Sequence, residues 1–235
     1  MTAVALIAGA GGAGAAVAVE FANRDFHVVV IDARTEAADA AVGPLIAEGR
    51  SAESHGLDLL DLDAVTALRD DLVARLGGVD VVVHLVGGFK STPSLGLESV
   101  ANWRALEPPV VGTLVTLTAV FGETVQASPD GRVFMVTSTA AARPTAGSIA
   151  YAAAKSAAEA WMAGVADSFS GSDARAVTVA VKALLTDQMI AADPEKQWPG
   201  FTHVRALATA IADVSTGPVD NGRRLDLTSA EYSAQ

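Results

Sequence analysis

The chain has 235 residues, carries 27 acidic against 16 basic side chains and has a formal net charge of −11. A field of this sign repels phosphate backbones and anionic lipid, which excludes nucleic acid and membrane surfaces as expected partners. Cysteine is absent, which excludes disulfides, thiolate nucleophiles and cysteine-ligated metal and agrees with a cytoplasmic location.

The N-terminal run Met1–Val19 carries no charged side chain, as is also true of signal peptides and membrane spans. It begins Met1-Thr2-Ala3 without a basic segment, and several glycines dilute its apolar character before Glu20 is reached. We therefore predict neither a signal peptide nor a membrane span here, but the first strand and helix of a soluble fold.

Short β-branched runs alternate with longer stretches of helical apolar spacing along the chain. Strands are predicted at Val4–Ala8, His27–Ile31, Val79–Val83, Arg132–Thr137, Ala176–Val181 and Arg224–Leu227. Helices are predicted at Ala13–Asn23, Glu36–Glu48, Leu62–Leu76, Ser99–Gln126, Ile149–Phe169 and His203–Asp213. The alternation predicts an α/β fold with a Rossmann-like, doubly wound parallel sheet, spanning residues 1–235 as a single domain.

A glycine-rich turn joins the first predicted strand to the first predicted helix. Glycines in such a turn let the backbone approach a pyrophosphate, whose charge then lies at the helix N-terminus. The structural alternative is a plain glycine-rich connection without a ligand. The residues of the turn are Gly9, Ala10, Gly11, Gly12, Ala13 and Gly14.

Asp32 ends the second predicted strand, where its carboxylate can accept both hydroxyls of an adenine ribose. The same charge would repel a 2′-phosphate, so we predict NAD(H) as the cofactor. Arg34 could reach such a phosphate and keeps NADP(H) as the less favoured choice. A solvated turn carboxylate is the structural alternative for Asp32.

Three further residues point to proton chemistry. Tyr151 and Lys155 share one face of an Ala-rich helix, and Ser138 follows the strand that ends at Thr137. A Tyr-x-x-x-Lys pair alone is common on solvated helix faces. Together with the glycine turn and Asp32, however, the set resembles the short-chain dehydrogenase/reductase family over nearly the whole chain.

The resemblance implies a role for each of these residues. Tyr151 would be the general acid/base, Ser138 would orient the substrate oxygen and Lys155 would hold the nicotinamide ribose. A neighbouring ammonium and an oxidised nicotinamide would both favour the phenolate of Tyr151. Beyond the glycine turn and Asp32, the implied cofactor contacts are Asp58 and Leu59 at the adenine, Val86, Gly87 and Gly88 after the strand Val79–Val83, and Ala183 and Thr186 after the strand Ala176–Val181.

The chain departs from the family pattern where a helix asparagine usually completes a catalytic tetrad. Pro109, or at a stretch Val110, stands in that position. Because proline removes an intrahelical donor, Pro108 and Pro109 are expected to bend or break the helix Ser99–Gln126. Any water relay to Lys155 would then need another route.

Other departures lie around the cofactor. The glycine turn is one residue shorter than the family pattern, and Lys182 and Ala183 stand in place of Pro-Gly. His84 replaces an asparagine, and we interpret it as a packed strand residue rather than a base. The segment between Thr186 and the last helix is short, which predicts an open or small-substrate site. In this feature, and with Trp198 before the last helix, the chain loosely resembles the compact dihydropteridine reductase branch. No residue is diagnostic of a pterin ring.

We therefore predict an NAD(H)-dependent oxidoreductase that moves hydride between nicotinamide and a small carbonyl or alcohol substrate. Two alternatives stay open: a nucleotide-binding scaffold or sensor that has lost turnover, and a non-redox dehydratase or cyclase that uses the same tyrosine and lysine. The apolar faces of the two longest helices predict a homodimer or homotetramer. No metal is expected, because His27, His55 and His203 lack ligand spacing.

Overall fold

Seven parallel strands form the central sheet in the computed structural model, which describes residues 2–228. In spatial order they are β3, β2, β1, β4, β5, β6 and β9, so the order along the sheet reverses at β1. A crevice opens at the carboxyl ends of the strands at such a reversal, and ligands of open α/β sheets bind there. The strands are β1 (Val4–Ala8), β2 (His27–Asp32), β3 (Ala52–Gly56), β4 (Val81–His84), β5 (Arg132–Ser138), β6 (Arg175–Val181) and β9 (Arg224–Asp226), and a separate two-stranded sheet pairs β7 (Leu184–Leu185) with β8 (Thr202–His203).

Helices cover both faces of the sheet, as the alternation of strands and helices predicts. They are α1 (Gly12–Asn23), α2 (Thr35–Ala47), α3 (Leu62–Leu76), α4 (Leu97–Glu107), α5 (Thr113–Ala127), α6 (Ile149–Ser168), α7 (Asp187–Ala192) and α8 (Val204–Thr216). Neighbouring residues of a strand point to opposite faces, so the core divides in two. Ala8, Val82 and Met135 pack with residues of α4, α5 and α6, whereas Ile7 and Val83 pack with residues of α1 and α8.

The predicted α/β fold is confirmed, and the predicted strands and helices differ from the observed elements only at their ends. The strand β3 had no predicted bounds, because its sequence Ala-Glu-Ser-His-Gly contains no apolar run. It lies at the edge of the sheet and pairs only with β2 among the described residues. An edge strand need not be apolar on both faces, which explains the missing signal.

Pro108 and Pro109 were expected to bend or break the helix, and the structure shows no break but a local change of helix type. A π-helical turn, Pro108–Gly112, joins α4 to α5 without interrupting the helical path. Pro108 keeps helical angles, with φ −59° and ψ −51°, and the backbone N–H of Thr113 donates to the Pro108 carbonyl. The wider turn accommodates prolines that have no N–H to donate, which an α-helical turn could not do as easily.

The combined helical stretch Leu97–Ala127 is long and apolar enough to cross a membrane, by length and composition alone. Core helices of globular proteins pass the same test. In this stretch Leu106, Leu114, Leu117 and Phe121 are all buried within the core on one face of the sheet. Packing against the sheet therefore accounts for the apolar character of the stretch.

Candidate active site

A cavity of about 1170 Å³ lies at the carboxyl ends of β4, β5 and β6. It brings together Ser138 from the end of β5 with Tyr151 and Lys155 from the first turns of α6. The other predicted site residues that line it are Ala13, Val86, Gly87, Gly88 and Ala183. Residues far apart in the sequence thus meet in one crevice, as the predicted topology requires.

The glycine turn has the backbone geometry that a pyrophosphate site needs. Gly9 has φ +101°, a value that side-chain-bearing residues rarely adopt, and its N–H donates to the Ile31 carbonyl at 2.8 Å. A Cβ at Gly14 would lie 1.8 Å from the Gly9 carbonyl oxygen, so only glycine permits this approach. A Cβ at Gly11, by contrast, would meet nothing within 4 Å. The space in front of the turn is open to a ligand.

The N-terminus of α1 is also available to an anion. Gly11 is its N-cap, makes no side-chain cap, and within the described chain the first turn of α1 carries no acidic residue. A Cβ at Gly12 would lie 2.9 Å from Cγ2 of Thr186, so the turn and the segment after β6 approach each other here. Thr186 itself caps α7 by accepting from the Met189 N–H at 3.2 Å. The helix dipole and the unpaired N–H groups would favour a phosphate at this point.

Asp32 links the second strand to the glycine turn. Its Oδ2 accepts from the Ala10 N–H at 2.9 Å, and its Oδ1 accepts from the N–H and the Nε of Arg34 at 3.0 and 3.3 Å. Partial burial would raise the pKa of Asp32, but these hydrogen bonds and the Arg34 charge together lower it below its ordinary value. Asp32 is therefore a fixed carboxylate at neutral pH, while the Arg34 side chain is 73% exposed.

Asp58 and Leu59 follow β3 at the predicted adenine end. Oδ1 of Asp58 accepts from the Leu60 N–H at 2.9 Å, which holds the turn before α3. The Leu59 side chain is buried in the core, where it packs with residues such as Val65. An adenine ring at this position would meet the Asp58 carboxylate and the backbone of Leu59 rather than the Leu59 side chain.

The phenol of Tyr151 lies in a mostly buried position beside Ser138. Burial raises the pKa of Tyr151 above 10.0, and a hydrogen bond with Ser138 acts in the opposite direction. The expectation that the ammonium would favour phenolate is therefore not met in the chain alone, because burial is the larger effect. Phe89 packs edge-on against the Tyr151 ring, with centroids 5.0 Å apart and an interplanar angle of 79°. No pattern in the sequence predicts this contact.

Lys155 is buried, although it carries a titratable amine. Its Nζ donates to the Val136 carbonyl at 2.8 Å, which fixes the side chain across the crevice toward β5. Burial lowers the pKa of Lys155 to about 8, against a smaller opposing effect of the Glu159 charge. Nζ would lie 3.7 Å from a Cβ at Gly87, so the amine also faces the segment after β4.

These residues fit a dinucleotide without rearrangement of the fold. The glycine turn and the α1 N-terminus offer backbone donors for a pyrophosphate, and Asp32 offers a carboxylate for a ribose. At the other end Gly87, Ala183 and the Lys155 amine border the cavity in which the nicotinamide would lie. The chemistry of the donor set therefore matches a nicotinamide dinucleotide.

Comparison with known proteins identifies the family. The family described as short chain dehydrogenase matches residues 3–197. The chain belongs to the short-chain dehydrogenase family. A 7alpha-hydroxysteroid dehydrogenase from Escherichia coli strain K12 is 28% identical over 207 residues, covering 86% of this chain and 80% of that protein. A fatty acyl-CoA reductase from Mycobacterium tuberculosis is 30% identical over 108 residues, so this match spans 46% of the chain and about a third, 36%, of that relative.

Solved structures of similar fold contain nicotinamide cofactors. ElxO with NADP bound has a TM-score of 0.85 at 19% sequence identity, with 100% of both chains covered. NAD+-bound xylitol dehydrogenase has a TM-score of 0.82 at 17% identity, covering 96% of this chain and 97% of that chain. Likeness at this identity shows the fold alone. The family and these neighbours support an oxidoreductase with a nicotinamide cofactor, but they divide between NAD and NADP.

Proposed function

We propose that this protein is an NAD(H)-dependent oxidoreductase that transfers hydride between nicotinamide and a small carbonyl or alcohol substrate, with Tyr151 as general acid/base. The observation that carries the proposal is the meeting of Ser138, Tyr151 and Lys155 in one cavity beside the glycine turn. A scaffold that only bound nucleotide would need no buried phenol in that place.

Each side chain has a task that follows from its position. The cofactor, when bound, supplies or accepts the hydride. Ser138 donates a hydrogen bond to the substrate oxygen, and the Tyr151 phenol gives that oxygen its proton as the carbonyl carbon gains hydride. Lys155 holds its ammonium between β5 and the segment after β4, where it orients a ribose.

The protonation of Tyr151 favours the reducing direction. Because burial raises its pKa, the phenol holds its proton at neutral pH and is ready to act as an acid. Oxidation of an alcohol needs the phenolate and would gain from higher pH. The apolar wall that Phe89, Leu184, Met189 and Phe201 contribute to the cavity suits a carbonyl compound with an apolar substituent.

Cofactor choice rests on Asp32. Its hydrogen bonds to the glycine turn hold the carboxylate ionised where an adenine ribose would lie. A 2′-phosphate there would meet a like charge, and Arg34 is too exposed to offset that repulsion fully. NAD(H) is therefore the proposed cofactor.

Tyr151→Phe tests the chemistry. It removes the phenolic proton but keeps the ring that packs on Phe89, so we expect turnover of a carbonyl panel, followed by reduced-nicotinamide absorbance, to fall by about 10² to 10⁴. Dinucleotide affinity, measured by calorimetry, should stay nearly unchanged, which controls for folding. A Tyr151→Phe protein that turns over as fast as the parent would contradict the proposed role.

We also propose that the chain forms a homodimer or homotetramer through α5 and α6. Trp161 of α6 is 40% exposed, and its Nε1 donates to Oγ1 of Thr118 on α5 at 2.9 Å. Gly122 and Gly164 border the same groove, so a second helix pair could approach closely. Light scattering should return a multiple of the chain mass, and a monomer at working concentration would contradict this.

A further inference from the structure

His84 is the most deeply buried titratable group near the site, and the proposed mechanism gives it no task. It ends β4, is 1% exposed, and lies in register with Met135 of β5. Strand alternation places it on the same face as Val82, which packs with residues of α5 and α6. His84 therefore points into the layer that contains Lys155, rather than to the opposite face of the sheet.

The hydrogen bonds around His84 determine which ring nitrogen carries the proton. The Thr113 hydroxyl donates to the Pro109 carbonyl at 2.8 Å, and a hydroxyl has a single proton to give. Nε2 of His84 lies 2.8 Å from the same hydroxyl oxygen, so Nε2 must be the donor in that contact. The ring is then the Nε2–H tautomer, and Nδ1 carries a lone pair.

That Nδ1 lone pair is buried and has no hydrogen-bond partner within residues 2–228. An unpaired acceptor in the core costs free energy unless a donor reaches it. Burial, assisted by the nearby Lys155 charge, lowers the pKa of His84 to about 3, so the ring does not become a cation at neutral pH. Nδ1 of His84, in the layer that also contains Lys155, is thus a neutral acceptor without a donor among the described residues.

Lys155 is the nearby candidate donor, since its charge acts on His84, although the described structure has no hydrogen bond between Nζ and Nδ1. An ammonium has three N–H groups, and one of them donates to the Val136 carbonyl. Nζ faces Gly87, three residues beyond His84 in the chain, and Val110 of the π turn lies against the same glycine. After the bond to the Val136 carbonyl, two N–H groups of the Lys155 ammonium remain. One can serve a ribose and the other an acceptor on the side of β4.

We propose that His84 is a positioning residue for Lys155, with its Nδ1 accepting a hydrogen bond from the ammonium in the working enzyme. The inference rests on the proposed function, since it assigns a purpose to the same lysine. Thr113 and the Pro109 carbonyl fix the tautomer that makes this possible.

Two amide variants separate this role from simple packing. The amide of His84→Asn falls near Nδ1, whereas the amide of His84→Gln falls near Nε2 and can keep the contact with Thr113. We expect kcat to fall about 10- to 100-fold in His84→Gln, as for loss of one hydrogen bond to a charged group, with KM little changed. We expect His84→Asn to stay close to the parent kcat.

A merely structural role predicts the reverse order, because only glutamine preserves the Thr113 hydrogen bond. Equal kcat values in the two variants, or a lower kcat in His84→Asn, would overturn the proposal. Thermal melts and dinucleotide affinity show whether each variant is folded. Should either His84 variant fail to fold, Thr113→Val and Thr113→Ser form the second pair. Loss of kcat is expected in the valine variant only, since serine keeps the hydroxyl that fixes the tautomer, and equal kcat in that pair would overturn the proposal too.

A readout without turnover keeps this test distinct from that of the proposed function. The Lys155 amine can be titrated by NMR of lysine-labelled protein, and the His84 tautomer read from its ring ¹⁵N shifts. An acceptor beside the ammonium favours the charged form, so the pKa of Lys155 should be lower in His84→Gln than in His84→Asn. The other titratable groups on that side, which are Tyr151, Glu159 and Arg224, are the same in both proteins. A parent without carbonyl turnover contradicts the proposed function, whereas an unchanged Lys155 titration or an Nδ1–H tautomer contradicts the role of His84.

Discussion

The two ends of the proposed cofactor crevice differ in the groups that line them and in how far those groups are buried. At the proposed adenine end, the glycine turn presents backbone groups, and the Arg34 side chain is 73% exposed while that of Asp32 is 14% exposed. At the proposed catalytic end, Ser138, Lys155 and His84 are buried, at 2%, 8% and 1% exposure. In the proposed function, solvent can therefore screen the Arg34 charge that bears on the choice of cofactor, whereas burial has moved the pKa values of Lys155 and His84.

Apart from the loss of turnover in Tyr151→Phe, the largest expected effect is on stability, for a substitution in the glycine turn. In Gly14→Ala the new Cβ would fall 1.8 Å from the Gly9 carbonyl oxygen, so the turn must shift. We expect the free energy of unfolding to fall by about 3 kcal/mol or more, measured by chemical denaturation. The matched control is Gly11→Ala, whose Cβ meets nothing within 4 Å and should change stability by less than about 1 kcal/mol.

The same pair also tests whether the open space at Gly11 receives the dinucleotide. Gly11→Ala should fold normally and still bind the dinucleotide more weakly, because its methyl group occupies the approach to the α1 N-terminus. If both variants were equally stable, the close approach of Gly14 to Gly9 would not be a feature of the folded protein. If Gly11→Ala bound dinucleotide as tightly as the parent, the pyrophosphate would lie elsewhere.

The contrast between the two ends also explains what the sequence could predict. The glycine turn and Asp32 are joined by one strand, one helix and a second strand, so their meeting follows from local pattern alone. The catalytic end needed Ser138 from β5 and the four-residue spacing of Tyr151 and Lys155 on α6, which were also predicted. The spacing of residues within one helix and the end of a strand are strong signals, because they do not depend on how the side chains pack.

Other parts of the catalytic end had no local signal. Phe89 meets Tyr151 only through tertiary packing, and a backbone carbonyl such as that of Val136 has no signature in a sequence. The rule that proline breaks a helix is correct for an α-helical turn but did not allow for a π turn at Pro108–Gly112. The interpretation of His84 as a packed strand residue is confirmed by its 1% exposure in β4, but its hydrogen bond with Thr113, which lies on another element, had no signal in the sequence.

A smaller effect is expected at the catalytic end, as a dependence of stability on pH. The pKa of Lys155 is lowered to about 8 in the folded protein, against about 10.4 for an unfolded lysine. Between these values the unfolded chain binds more protons, so this site makes the folded state more stable as pH rises, by about 1.4 kcal/mol per unit. Below pH 8 the amine is charged in both states, and the buried charge lowers stability.

Lys155→Met isolates this dependence, since methionine fills similar volume without a charge. We expect the variant to exceed the parent in unfolding free energy by a margin that is largest below pH 8 and shrinks up to about pH 10. Denaturation at a series of pH values measures the difference, in which groups common to both proteins cancel. A margin independent of pH would show that the amine is not buried in the folded protein.

The smallest effect is expected at Asp32, beside the exposed Arg34 side chain. Asp32→Asn keeps an amide oxygen that can accept from the Ala10 N–H, so the glycine turn should hold, but it removes the charge that opposes a 2′-phosphate. It also frees Arg34 from its carboxylate partner. Both changes favour NADP(H), and we expect the preference for NAD(H) to fall by about 1 to 3 kcal/mol, or 5- to 150-fold.

Arg34→Ala is the matched control, and it should move the preference in the opposite direction. Removing the guanidinium takes away the cation that pairs with Asp32, so NADP(H) binding should weaken while NAD(H) binding changes little. Because the Arg34 side chain is 73% exposed and a bound 2′-phosphate would lie beside it, the two shifts should shrink as salt is raised from about 0.05 to 0.5 M, whereas the kcat loss of Tyr151→Phe should not. Titration of each variant with both dinucleotides at two salt concentrations makes the comparison. A parent that prefers NADP(H), together with a preference that Asp32→Asn leaves unchanged, would mean that Arg34 and not Asp32 selects the cofactor.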